Sequence, residues 1–274
     1  VSAPFVGETL SYAHVGTTLE VTLHRSVPGA TCNEIGEQTL RELEGLVAYL
    51  ASGAGGARAV LFASSVPRGF CAGADLRALY EGMVARRGAG VPPVAEVRAF
   101  LDRIHAVFDA LDTTPLTTVA AVHGVVFGGG FEFALTCDVI VADKTARFCF
   151  PELRLGLVPG FGGIPRLARD VGNAVVRDLL FTGRSLNAQR AHQLGLVSQL
   201  VAPGEAMHVA RKVAEQAARF DAATSAAGKA FAKPLPSEWL NREKDTFCAL
   251  FTSPVVEAAL HKFVTSTDAR PYLP

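Results

Sequence analysis

The chain has 274 residues, of which 49% are hydrophobic and 19% charged, enough to bury a sizeable core and too apolar for a disordered polymer. Its 26 basic and 26 acidic side chains cancel to a formal net charge of zero, which removes the electrostatic basis for binding nucleic acid. Cys32, Cys71, Cys137, Cys149 and Cys248 form no CxxC pair and read as free thiols of a reducing cytosol. With no signal-peptide pattern and no apolar run of membrane-spanning length, a cytoplasmic protein without a membrane partner is expected.

From Leu10 to Val27 two alternating runs, LSYAHV and LEVTLHR, flank Gly16 and predict a β-hairpin. A helix is expected from near Asn33 through ELEGLVAYLA, where leucines recur at helical spacing. Arg58–Ser64 is almost wholly apolar, as a strand buried on both faces should be. RGFCAGADL, Arg68–Leu76, reads as a glycine-containing turn into a helix. The segment Gly82–Val94, GMVARRGAGVPPV, reads as a flexible loop. A helix follows over Val94–Leu111 and a buried strand over Thr117–Val122. Further on, Asn173–Phe181 reads as a helix, Ser185 as the N-cap of a helix over Ala188–Gln193, and Val197–Val201 as a strand. From Gly204 onward the pattern is helical only. Strand–turn–helix units therefore build a layered α/β core over residues 1–203, and 204–274 form a helical C-terminal region. Periodicity alone does not separate a Rossmann-like sheet from a spiral of ββα units, although the absence of GxGxxG argues against a dinucleotide site.

The chemistry concentrates between Val119 and Leu167. Gly128–Gly130 end an apolar strand and are followed by Glu132; Glu152 follows Pro151; a second cluster, Gly160, Gly162 and Gly163, lies just beyond. Glycines let a ligand approach the backbone closely, and amides freed at a helix start can point at a negative atom. Glu132 sits among Phe131, Phe133, Ala134 and Leu135, where a lone carboxylate is desolvated and its pKa rises. Taken singly, Glu132 and Glu152 are equally well read as helix-start carboxylates facing solvent. Their joint placement between two glycine loops is what points to acid–base chemistry on an activated carbonyl. FCAGADL alone reads as an ordinary loop or as a turn whose Ala74 amide enters a pocket. His24, His105 and His123 accompany no nucleophile motif and read as structural, Cys71 and Cys137 as packing residues, and no metal-ligand spacing is present.

FCAGADL, AAVHGVVFGGGFEFALTCDVIVA, FCFPELRLGLVPGFGGIPRL and FTGRSLNAQRAHQLGLVSQLV together resemble the crotonase (enoyl-CoA hydratase/isomerase) superfamily, in its motif order, over roughly Val15–Val201. The resemblance implies an α/β fold, a spiral of ββα units with a C-terminal helical trimerisation region, assembled as a homotrimer or homohexamer. It implies an acyl-thioester substrate whose carbonyl oxygen is held between the backbone N–H groups of Ala74 and Gly129. Glu132 and Glu152 would be the two catalytic glutamates, Gly160 would help to place the reacting groups, and Arg77, just past Asp75, would meet a phosphate of coenzyme A. No prosthetic group or metal is implied; coenzyme A, or a pantetheine arm, is part of the substrate. Two departures stand out. Phe161 replaces a small residue, so that with Phe127, Phe131 and Phe133 nearby the acyl pocket is expected to be unusual. The segment PVVEAALHKFVTSTDARPYLP lacks the usual aromatic-plus-lysine pattern, leaving Lys262 displaced and a carrier-protein thioester as an alternative substrate. The leading function is hydration of an enoyl thioester or dehydration of a 3-hydroxyacyl thioester. Isomerisation, decarboxylation or hydrolysis is the alternative, on a carrier-bound substrate of polyketide-type biosynthesis for instance. A binding or scaffolding subunit would not need both carboxylates.

Overall fold

The computed structural model describes residues 4–25, 31–90 and 92–266. In chain order the strands and helices begin with β1 (Phe5–Val6), β2 (Leu10–Val15), β3 (Thr18–Leu23), α1 (Glu37–Ala51), β4 (Ala59–Ser64), β5 (Gly69–Cys71), α2 (Leu76–Gly88) and α3 (Val94–Thr113). They continue with β6 (Thr117–Val122), β7 (Val125–Phe127), α4 (Gly129–Ala134), β8 (Val139–Asp143), β9 (Arg147–Cys149), α5 (Gly163–Val171) and α6 (Asn173–Thr182). The chain ends through β10 (Leu186–Asn187), α7 (Ala188–Gln193), β11 (Gln199–Val201), α8 (Ala206–Ala217), α9 (Ala222–Ala232), α10 (Ser237–Phe251) and α11 (Pro254–Thr265).

The strands divide between two sheets, one of seven strands in the order β1-β2-β3-β4-β6-β8-β11 and one of four in the order β10-β9-β7-β5. Successive strands alternate between them: β4, β6 and β8 enter the large sheet and β5, β7 and β9 the small one, with parallel pairing along each series. Each strand pair is followed by helix, so the chain winds as repeating ββα turns. This is the spiral, and the Rossmann-like sheet that periodicity left open is excluded. The N-terminal hairpin of β2 and β3 adds antiparallel pairing at one edge.

Burial follows the period of two along the central strands. Val60 and Phe62 of β4 face the main core, whereas Ala59, Leu61 and Ala63 face a second layer shared with Val119, Ala121 and Val141. Ala206, Ala210 and Ala214 of α8 close that layer; alanines at every fourth position let the helix approach the sheet closely.

Three sequence expectations need correction. Residues 33–35 are not helical: the Asn33 side chain donates to Ser64 Oγ and the Phe70 carbonyl, each at 2.8 Å, so α1 starts only at Glu37. The expected loop at Gly82–Val94 is helix as far as Gly88. Asp75 caps α2, accepting from the Ala78 amide at 3.0 Å, while Arg86 and Arg87 in its last turn pair with Glu96 and Glu257. The N-cap of α7 is Asn187, accepting from the Arg190 amide at 2.8 Å, and not Ser185. Ser26 and Val27, at the end of the expected hairpin, and the tail from Thr267 lie outside the described residues.

Candidate functional site

A cavity of about 420 Å³ opens where α2, α3 and α10 meet the ends of the small sheet. Its floor is the backbone of Gly73, Ala74, Gly128 and Gly129 with Glu132 and Glu152, and its walls are mostly apolar. Gly73 and Gly128 both adopt positive φ, at +106° and +48°, which strongly favours glycine. That backbone brings the two turns face to face: a Cβ built on Gly73 would lie 3.0 Å from the Gly129 nitrogen, and one on Gly129 3.5 Å from the Ala74 nitrogen. Gly129 opens α4, so its N–H has no intrahelical acceptor.

Glu132, one turn into α4, is only 2% exposed. Its Oε1 accepts two backbone N–H groups, from Phe161 and Gly163, each at 2.8 Å. Desolvation raises its pKa to about 7, against the pull of those amides and of the Arg166 charge. Glu152 sits on a single 3-10 turn, Glu152–Leu155, behind Pro151. It lies over the first glycine loop, where a Cβ on Gly128 would fall 2.6 Å from its Oε1. Its Oε2 is buried with no partner. The residue as a whole is half-buried and lines the cavity, yet desolvation by the surrounding protein pushes its carboxyl well above the usual range, reinforced by the charge of Glu132. Both carboxyls around the one cavity are therefore held above the usual carboxylate range, and the charge of Glu132 opposes ionisation of Glu152.

Phe161 and Gly160 line the same cavity. The Phe161 ring crosses the first loop, 2.6 Å from where a Gly129 Cβ would be, and is flanked by Phe108 and Phe100 with centroids 6.1 and 5.9 Å away. Only the backbone of a glycine can pass beneath that ring. Phe131 and Phe133 point away into the core, stacking on Phe150 and Phe108. Asp75 lies at the cavity edge, but its oxygens are engaged by the Ala78 amide and by Arg25 at 2.8 Å. Arg77 is exposed on the first turn of α2 and does not line the cavity; Lys262 is exposed on α11.

The sequence reading missed three contributors, Arg166, Glu243 and Phe247, and named a fourth, His105, only as a structural histidine. His105 is buried on α3 and holds the Gly160 carbonyl through Nε2 at 2.7 Å; burial pushes its pKa down to about 4, so the ring is neutral. Arg166 is fully buried and bonds Asp112 at 2.7 Å and Asp109 at 2.5 Å. Phe247 and Glu243 reach the site from α10, in the region beyond the expected core. One signal was available: Leu240, Glu243, Phe247 and Phe251 share a helix face, which puts a carboxylate on an apolar stripe. Burial drives the thiols of Cys71 and Cys137 up to about 12, consistent with packing roles. Among the described residues no His, Cys, Asp or Glu cluster suits a metal ion, and no single helix is long and apolar enough to cross a membrane.

Comparison with known proteins matches residues 16–269 to the family model described as enoyl-CoA hydratase/isomerase. The chain is 35% identical over 272 residues to a protein named probable enoyl-CoA hydratase from Rhizobium meliloti, covering 96% of this chain and 97% of that one. It is 36% identical over 198 residues to a protein named probable enoyl-CoA hydratase 2, mitochondrial, from Arabidopsis thaliana, spanning 72% of this chain but 61% of that relative's length. The crystal structure of an enoyl-CoA hydratase from Bacillus anthracis superposes with a TM-score of 0.72 at 25% identity, covering 93% of this chain and 96% of that one.

Proposed function

We propose that this chain, which belongs to the enoyl-CoA hydratase/isomerase family, adds water across the double bond of an enoyl thioester, or removes it from the 3-hydroxyacyl thioester. The observation that carries this reading is the meeting of two desolvated carboxyls, Glu132 and Glu152, with the Ala74 and Gly129 amides in one apolar cavity. The thioester oxygen would lie between the two amides, and the acyl chain against the apolar walls. Ionised Glu132 takes a proton from water as the water oxygen bonds to Cβ. The double-bond electrons move onto the thioester oxygen, where fixed N–H donors are worth about 3–4 kcal/mol each. The enolate then collapses as neutral Glu152 gives its proton to Cα. One proton has entered Glu132 and one has left Glu152, and exchange through solvent or between the two resets the pair. Each proton transfer contributes on the order of 10²–10⁴. Double-bond migration needs only one such group, so the pair favours hydration over isomerisation.

The names of the relatives support a coenzyme A thioester over a carrier-bound one. A trimer or hexamer belongs to the same proposal: Phe220, Phe231 and Trp239, 58%, 91% and 49% exposed just before α9, in α9 and in α10, are apolar surface that a neighbouring subunit would cover. Loss of the enoyl-thioester absorbance with trans-2-enoyl-CoA substrates of short and medium chain length tests the activity. No loss with any of them would sink the hydratase reading.

A further inference from the structure

The second glycine loop is held more tightly than a cavity wall requires. Its carbonyls point one way: Gly160 accepts from His105 Nε2 at 2.7 Å, and Phe161 and Gly162 accept from Arg166 Nη1 at 3.2 and 3.4 Å. Its amides alternate between two buried carboxyls. Phe161 and Gly163 donate to Glu132 Oε1, both at 2.8 Å; Gly162 and Ile164 donate to Glu243 Oε1 and Oε2, at 2.6 and 2.9 Å. Three successive peptide planes are therefore pinned at both ends. The outer two, 160–161 and 162–163, join His105 or Arg166 to Glu132. The middle one, 161–162, joins Arg166 to Glu243.

Glu243 is 6% exposed and comes from the helical C-terminal region. Its neighbours on α10 seat the helix against the same loop: a Cβ on Gly162 would lie 2.7 Å from Leu240, and one on Gly160 2.6 Å from Phe247. Burying a carboxyl so deeply is strongly unfavourable unless its oxygens are bonded. Here both oxygens are taken by amides of one loop, the loop that also holds Glu132.

We propose that Glu243 is a positioning residue: from the C-terminal helix it fixes the middle peptide of the loop, so that the flanking amides hold the Glu132 carboxyl in place for proton transfer. The proposal rests on Glu132 being the base of the reaction given above. Freeing the middle peptide lets its neighbours tilt, and displacement of a reacting group by about 1 Å costs up to about a hundredfold in rate.

Glu243→Gln tests it, because one carbonyl oxygen cannot serve two amides on opposite oxygens. In hydration of an enoyl-CoA, kcat is expected to fall about tenfold to a hundredfold with KM within about twofold, since the Ala74 and Gly129 amides that would hold the thioester are untouched. In a Glu132→Gln background the same substitution should leave the residual rate unaltered, because its effect runs through Glu132. An unchanged kcat, or an equal loss in both backgrounds, overturns the proposal. Should Glu243→Gln fail to fold, Glu243→Asp keeps both oxygens on a shorter stem and is judged by the same criteria. Failure of the underlying reading shows separately, as full turnover by Glu132→Gln with Glu243 intact.

Discussion

The two glycine loops look alike in the sequence and do opposite things in the structure. In the first, Gly128–Gly130, the glycines remove side chains so that other groups can come close: Glu152 over Gly128, the Phe161 ring over Gly129, and the Cys71 carbonyl 2.3 Å from where a Gly130 Cβ would be. Its Gly129 amide stays open toward the cavity. In the second, Gly160–Gly163, every amide from Phe161 to Ile164 ends on a buried carboxyl. One loop leaves the Gly129 amide facing the cavity, and the other commits its donors to the protein's own acids. A glycine cluster marks close approach of the backbone to something; what approaches decides the role.

The sharpest way to break this contrast is to neutralise each carboxyl in turn. Glu132→Gln and Glu152→Gln are each expected to lower kcat by about 10² or more. In Glu132→Gln the one carbonyl oxygen of the new amide can still accept from both Phe161 and Gly163, so the fold should persist by circular dichroism. If either variant turns over normally, the pair is not the acid–base machinery. An isomerase would tolerate loss of Glu132 but not of Glu152.

The second loop also predicts a stability effect. Folded Glu132 titrates near 7 against an ordinary value of 4.5. Between those values the folded protein holds a proton that the unfolded chain has released. The stabilisation is therefore complete below about 4.5 and is lost as pH rises through about 7, on the order of 3 kcal/mol. Glu132→Gln removes that loss. Urea denaturation at mildly acidic and mildly alkaline pH should show the wild type weakening more than the variant, and parallel pH curves would refute the assignment. The smallest effect is expected where the open side of the site meets solvent. Arg77→Ala should raise KM several-fold with kcat unchanged, and an unchanged KM would leave Arg77 a solvated helix residue.

Much of this was legible in the sequence, for identifiable reasons. Thr117–Val122 and Asn173–Phe181 follow from apolar period alone, and the motifs around Gly73, Gly128 and Gly160 placed the cavity floor. What stayed hidden was set by distant partners. The helix over residues 82–88 buries Met83 and meets α11, where Arg87 pairs with Glu257 170 positions away, so its Gly- and Arg-rich composition misleads. Glu243 lies 79 and 81 positions from the amides it holds. Local spacing cannot register such pairings, although a glutamate on the apolar face of α10 hinted at one.

The central claim, that Glu132, Glu152 and the two open amides add water across a thioester-conjugated double bond, is tested most directly by mass and NMR analysis of an enoyl-CoA incubated in D₂O. A 3-hydroxyacyl-CoA carrying one deuterium at Cα and a hydroxyl on Cβ is expected. A migrated double bond without added water, release of free coenzyme A, or unchanged substrate would contradict it.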